Sequence, residues 1–318
     1  MEFDEFKDDL FEGVNGKIED EYIGTLTIRE TEILGEELTA MEYEMPEYIF
    51  STTLYVEAFY EEYCCTGIEI KELIDKVFHS IVEEAETTLK EQKEIPVQMT
   101  LDNVVPVLIP RAGNEMYLEK IPHIPFEDLE ITFAFFVPKM QKQTTVLNAF
   151  LKEQKMDENT LLNIALKNSV FTENICVMPI QELIVQILGG KDNSIEGMTE
   201  EDEIPLKTKM TVVTNTFDCK GTAGILNPDT MMQVVEEFGE DIYILPSSIH
   251  ECVVIGKSYG PIEAAQELVR ETNQRIVSPV DKLSDQVYVF DRQSKKIKMA
   301  VRDKNIVQKG GDLSQRIR

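Results

Sequence analysis

Ser247, Ser248, His250 and Glu251 fall within one short run, Pro246-Ser247-Ser248-Ile249-His250-Glu251, the chemically most distinctive stretch of the chain. A serine turns nucleophilic when a base takes its proton and an acid orients that base, so these four residues are the candidate centre of a hydrolase or transferase. The expected local structure argues against that use. Residues 241–255 read as two strands joined at Pro246-Ser247-Ser248, because Ile, Val and Tyr flank a turn-forming break. Strand neighbours point to opposite faces, so His250 and Glu251 would diverge from any one substrate atom. Glu251 would share its row with Ile249, Val253 and Ile255, and a carboxylate there needs donors such as turn amides, Ser247, Ser248 or an arginine. The role expected for Glu251 is to pin the Pro-Ser-Ser turn.

Two other patterns imitate functional motifs. Gly256-Lys257-Ser258-Tyr259-Gly260 fits the Gly-x-Ser-x-Gly nucleophile elbow and lies between an expected strand and an expected helix. The elbow needs a histidine after its serine, and His250 is the last histidine of the chain, so the run is read as a glycine turn ahead of a helix opening at Pro261. Asp192, Ser194, Glu196, Gly197 and Glu203 occupy offsets 1, 3, 5, 6 and 12 of a calcium-binding loop. Thr199 stands where an apolar residue pins such loops, Gly189-Gly190 ends the entering helix, and Pro205 interrupts the exiting one. An acidic surface loop is expected instead. His79, His123 and His250 are scattered, and no Cys-x-x-Cys, P-loop or Gly-x-Gly-x-x-Gly occurs, so neither metal nor cofactor is predicted.

Composition bounds the function classes. The 318 residues are 42% hydrophobic, enough for a substantial core, and the formal charge is −28. So acidic a chain is ill suited to gripping a phosphate backbone, which requires Lys and Arg, and no direct nucleic-acid binding is expected. The charge is uneven: residues 1–62 hold 19 Asp or Glu against Lys7, Lys17 and Arg29, whereas from 292 onward nine basic residues face only Asp303 and Asp312. The acidic end is expected to contact a protein partner, in its sharpest form as a nucleic-acid mimic. Five cysteines, two of them adjacent, read as reduced thiols. No basic and apolar leader opens the sequence, and the run 131–137 is too short to span a bilayer, so a soluble cytoplasmic protein is expected.

The elements that must position these residues follow from periodicity. Residues 1–46 read as an acidic, weakly ordered segment with one strand at 22–28. Residues 47–93 read as an αα-hairpin: an aromatic helix over 52–63 precedes a second helix whose Ile70, Leu73, Ile74, Val77, Phe78, Ile81 and Val82 share one face. Thr66 and Glu69 have the spacing of a capping box for that second helix. Residues 94–301 read as an α+β domain, divisible near 190–206, in which proline-punctuated strands lead to short helices at 145–154, 158–168 and 181–188. Its last part is expected in the order ββ-α-ββ-α-ββ, beginning with a hairpin of 209–217 against 222–226. Residues 302–318 read as a disordered basic tail. The fold class is α+β, a mostly antiparallel sheet with packed helices and an N-terminal helical hairpin.

At Pro246-Ser247-Ser248-Ile249-His250-Glu251 the chain resembles a family of proteins of unknown function from gut clostridia and their mobile elements. The likeness extends to Leu54-Tyr55-Val56-Glu57, to residues 60–67, to 227–238 and to Leu283-Ser284-Asp285-Gln286-Val287-Tyr288, with a more distant one to the YtpQ-like proteins of Gram-positive bacteria. The resemblance implies an intracellular bacterial protein and carries no catalytic residue with it. Two readings result: a non-enzymatic binding or regulatory protein, and an enzyme built on Ser247, Ser248, His250 and Glu251.

Overall fold

The computed structural model describes residues 1–21, 24–33, 36–45, 52–94, 99–187, 210–217 and 219–300. It divides into two compact units, Met1–Asn174 and Ile175–Arg318. Its fold is α+β, with three antiparallel sheets.

The first unit opens with α1 (Phe3–Glu21) and a hairpin of β1 (Thr25–Ile33) and β2 (Glu36–Glu44), where the sequence reading expects weak order around one strand. The apolar period explains the helix. Phe6, Leu10, Val14 and Ile18 recur every fourth residue, all are 0% exposed, and each contributes about 1.5–3 kcal/mol of burial before entropic costs. The short strand β3 (Thr52–Tyr55) pairs with β2 and runs straight into α2 (Val56–Thr66), so the expected aromatic helix begins later than 52. Helix α3 (Ile70–Glu94) buries Leu73, Val77, Phe78, Ile81 and Val82 in one cluster with the α1 stripe and Met41 and Tyr43 of β2. The αα-hairpin of α2 and α3 thus packs on a layer that precedes it in sequence.

The capping box does not form. The Thr66 hydroxyl donates back to the Glu62 carbonyl at 2.8 Å and accepts the Ile68 N–H at 3.3 Å, which ends α2 instead of starting α3. Gly67 completes that ending with a φ of 69°, a left-handed conformation that costs glycine little.

The second layer of this unit is a sheet in the order β4 (Val104–Pro110), β6 (Leu129–Val137), β5 (Ile124–Phe126), with β7 (Lys142–Thr145) also paired to β6. All nine residues of β6 are buried. One is charged: Glu130 takes a bond from Arg111 Nε at 2.5 Å. The turn helix α4 (Glu115–Leu118) and helices α5 (Asn148–Gln154), α6 (Glu158–Ala165) and α7 (Ser169–Thr172) complete the unit. The expected helix at 145–154 starts late because 142–145 extend β6's sheet.

The second unit is built on a six-stranded antiparallel sheet in the order β13 (Lys296–Met299), β12 (Tyr288–Asp291), β10 (Ile242–Leu245), β11 (Cys252–Gly256), β9 (Met210–Asn215), β8 (Ile175–Pro179). The units divide after Asn174, upstream of 190–206, because β8 pairs along its length with β9. Helix α8 (Ile180–Ile187) follows β8, and α10 (Ile262–Arg275) buries Ala265 and Val269 against Tyr243, Leu245 and Ile255. Helix α9 (Pro228–Phe238) has the cap its sequence announces: Asn227 accepts the N–H groups of Asp229 and Thr230, Pro228 sits in the first turn, and Gly239 ends the helix at φ 71°.

Residues 221–226 form a 3-10 helix, not the second strand of a hairpin. Both edges of β9 are already taken, by β8 and by β11. Thr222 instead spends its main-chain N–H on Ile249 and its hydroxyl on Ser248.

A candidate site around His250

The loop carrying Ser247, Ser248, His250 and Glu251 connects β10 to β11, and 249–251 is not strand. Pro246 offers no N–H to a ladder, and the chain after it turns toward residues 281–284. The alternation that would separate His250 from Glu251 does not apply here. What fixes the loop is a complete set of acceptor contacts. The Pro246 carbonyl accepts from Ser284 N–H at 3.0 Å and Ser247 from Leu283 N–H at 2.9 Å. The Ser248 carbonyl accepts the Thr222 hydroxyl at 2.6 Å, Ile249 the Thr222 N–H at 3.3 Å, and His250 the Thr214 hydroxyl at 3.0 Å. In return Ile249 N–H donates to the Asp281 carbonyl at 2.8 Å. Five successive carbonyls are thus satisfied by protein, as buried backbone demands.

The side chains follow the same pattern. Ser247 is 5% and Ser248 3% exposed, and Ser248 Oγ accepts the N–H of His250 two residues on, at 3.0 Å. His250 Nδ1 lies 3.3 Å from the Lys220 main-chain nitrogen, and Nε2 lies 3.2 Å from Asp281 Oδ1. A main-chain N–H can only donate, so Nδ1 is the acceptor and the ring proton of the neutral imidazole sits on Nε2, facing the carboxylate. His250 therefore ties together two loops that lie 30 and 31 residues away from it in sequence yet adjacent in space. Glu251 stands half-buried between His250 and the fully buried Cys252. Burial pushes the Cys252 thiol well above the usual thiol range, and the Glu251 carboxylate adds to the shift.

The loop that meets the histidine is built with equal care. Asn215 Oδ1 accepts the N–H groups of Phe217 and Cys219, at 3.1 and 3.2 Å, while its Nδ2 donates to the Cys219 carbonyl at 2.7 Å. Lys220 follows at φ 52°, and Gly221 then passes so close to Asn215, Thr214 and the His250 carbonyl that any Cβ would collide with backbone. Sequence reading singles out none of Thr214, Asn215, Lys220, Thr222 or Asp281. The one legible signal is the glycine after Lys220; Asp281 lies 31 residues from His250, beyond any local pattern.

The nucleophile-elbow serine serves a different end. Glu240 accepts the Ser258 N–H at 2.8 Å and its hydroxyl at 2.5 Å, and a side chain on Gly256 would run into that carboxylate. The run is a turn held to the end of α9, as the glycine reading expects. The calcium-loop candidates Asp192, Ser194, Glu196 and Glu203 lie outside the described residues. Among the described residues, no three metal-ligating side chains cluster and no helix is long and apolar enough to cross a membrane.

No curated protein and no solved structure matches this chain. A family model does, over residues 3–292, nearly the whole length: the chain belongs to DUF5688, a family of unknown function.

Proposed function

We propose that this chain is a non-enzymatic binding module that meets a basic protein partner through its acidic N-terminal region. The observation that supports it is the division of labour on α1. One face is fully buried through Phe6, Leu10, Val14 and Ile18, and the other exposes Asp4, Glu5, Asp8, Asp9, Glu12, Glu19 and Asp20. Of the two lysines of the helix, Lys17 is drawn away to Asp75 at 2.7 Å, while Lys7 lies between Glu30 and Asp4 of the acidic face. At about 1.5 Å of rise per residue the exposed carboxylates average roughly one per 4 Å of axis, somewhat sparser than the ~3.4 Å per phosphate of one DNA strand. A nucleic-acid mimic needs a charge density of that order, and its partner is a DNA-binding protein of a phage, a mobile element or the host. The likeness to proteins of clostridial mobile elements favours such a partner, and reduced thiols fit an intracellular setting.

The reading of a hydrolase or transferase at Ser247, Ser248, His250 and Glu251 has less support, because both serines are buried and the histidine ring is committed on both nitrogens. The binding reading is tested by immobilising the full chain and a variant with Asp4→Asn, Asp8→Asn and Glu12→Gln. The wild type should retain a basic protein at about 0.05 M salt, release it near 0.5 M, and displace DNA from it, with retention sharply reduced in the variant. Capture that ignores salt and the three substitutions overturns the proposal.

A further inference from the structure

Strand β13 presents a surface of opposite character to the acidic helix. It ends the six-stranded order with β12 as its partner, and no strand lies beyond it among the described residues. Ala300 N–H donates to the Val287 carbonyl at 2.8 Å, and along an antiparallel ladder every second residue turns the same way. Lys296 and Lys298 therefore direct their main chain to β12, which leaves the N–H and C=O groups of Ile297 and Met299 facing outward as an open edge. The side chains alternate as well. Ile297 and Met299 are half-buried beside Phe290 and Tyr288, whereas Lys296 and Lys298 stand exposed on the other face. Among the described residues neither of these two lysines has a carboxylate within ion-pair distance. Arg292 and Lys295 of the same hairpin take Asp241 at 3.6 Å and Asp229 at 3.7 Å, and Asp291 accepts the N–H groups of Gln293 and Ser294.

We propose that β13 is a docking edge for an extended acidic segment of a partner protein, which adds to the sheet as a further strand. The main chain of that segment exchanges hydrogen bonds with Ile297 and Met299. Its carboxylates, at every second position, face Lys296 and Lys298, and the apolar residues between them prolong the row of Ile297 and Met299. Two other occupants fit less well. A second copy of β13 would set lysine against lysine, which is how edge strands refuse their own kind. A nucleic acid offers phosphates to the lysines but no ladder of N–H and C=O groups to the open edge, and the chain as a whole carries −28. This edge and the acidic face of α1 use different residues and partners of opposite charge, so either can fail without the other.

The test titrates a fluorescent, capped peptide of alternating glutamate and valine, about eight residues long, with the full-length protein. Anisotropy gives the affinity, and residue-resolved amide hydrogen exchange follows the edge. At about 0.05 M salt the peptide should bind and slow exchange at Ile297 and Met299, and its affinity should fall at least about tenfold near 0.5 M. A lysine and valine peptide of the same length should not bind. Lys296→Glu combined with Lys298→Glu should weaken the acidic peptide at least about tenfold. Met299→Pro removes an outward N–H without touching the ladder to β12, and should weaken it comparably with both lysines in place. Affinity unmoved by Met299→Pro overturns the proposal, as does the absence of binding at low salt. Slow exchange at both amides before any peptide is added does so too, because the edge would then be covered already. Tighter binding of a single-stranded oligothymidylate of equal charge also overturns it, making the hairpin a phosphate contact.

Discussion

The main-chain N–H of Lys220 ends on Nδ1 of His250, 3.3 Å away, and so joins the β9 turn to the loop between β10 and β11 through an imidazole ring. With Asp281 on the opposite nitrogen at 3.2 Å, the ring bridges segments 30 and 31 residues distant in sequence. His250→Ala should remove both bonds and lower stability by about 1–3 kcal/mol, as a shift in urea midpoint at unchanged slope. An unmoved midpoint would mean that the ring merely lies between the loops.

Thr222 has its hydroxyl on the Ser248 carbonyl at 2.6 Å and is itself 0% exposed. Thr222→Val keeps the shape and leaves that carbonyl without its donor, a loss of about 1–3 kcal/mol. Chemical denaturation of the variant checks it; a change within about 0.5 kcal/mol would show that the loop relaxes to a new donor.

Two glycines should respond in opposite directions. Gly221→Ala forces a methyl group into the backbone of Asn215 and the His250 carbonyl and should cost at least about 2 kcal/mol. Gly16 lies in the interior of α1 with nothing near its missing Cβ, so Gly16→Ala should stabilise by about 0.5–1 kcal/mol. Thermal melts of the two variants decide both, and equal shifts would contradict the packing around residue 221.

Cys252 is fully buried, and burial holds its thiol protonated at pH values where an unfolded chain would ionise it. The folded state then binds more protons than the unfolded state above about pH 8.5, so stability is complete below that value and falls as pH rises, by up to about 1.4 kcal/mol per unit. Cys252→Ala should flatten this limb of the pH profile. A thiol reagent should label Cys64 and Cys65, both exposed, in the native protein and reach Cys252 only on unfolding.

Glu130 is 3% exposed with Arg111 on one oxygen. Arg111→Met should strand that carboxylate in the core and cost about 3 kcal/mol. The double variant with Glu130→Met should recover most of the loss in urea titrations; an additive loss would show that the pair contributes nothing jointly.

The sequence by itself determined the elements whose signals are local. The stripe of α3, the Asn227 and Pro228 start of α9, its Gly239 stop, and the antiparallel α+β class can all be read from periodicity and capping chemistry, since these depend on residues a few positions apart. The four-residue repeat of Phe6, Leu10, Val14 and Ile18 was equally present, but a dense acidic background obscured α1. The tertiary structure alone decided the surroundings of His250. Whether 222–226 became strand or 3-10 helix depended on β9 already having two partners, and whether His250 faced substrate or scaffold depended on Lys220 and Asp281 arriving from distant segments. Hydrogen bonds of that range carry no spacing rule, because their partners are chosen by how the sheet packs and not by their separation along the chain.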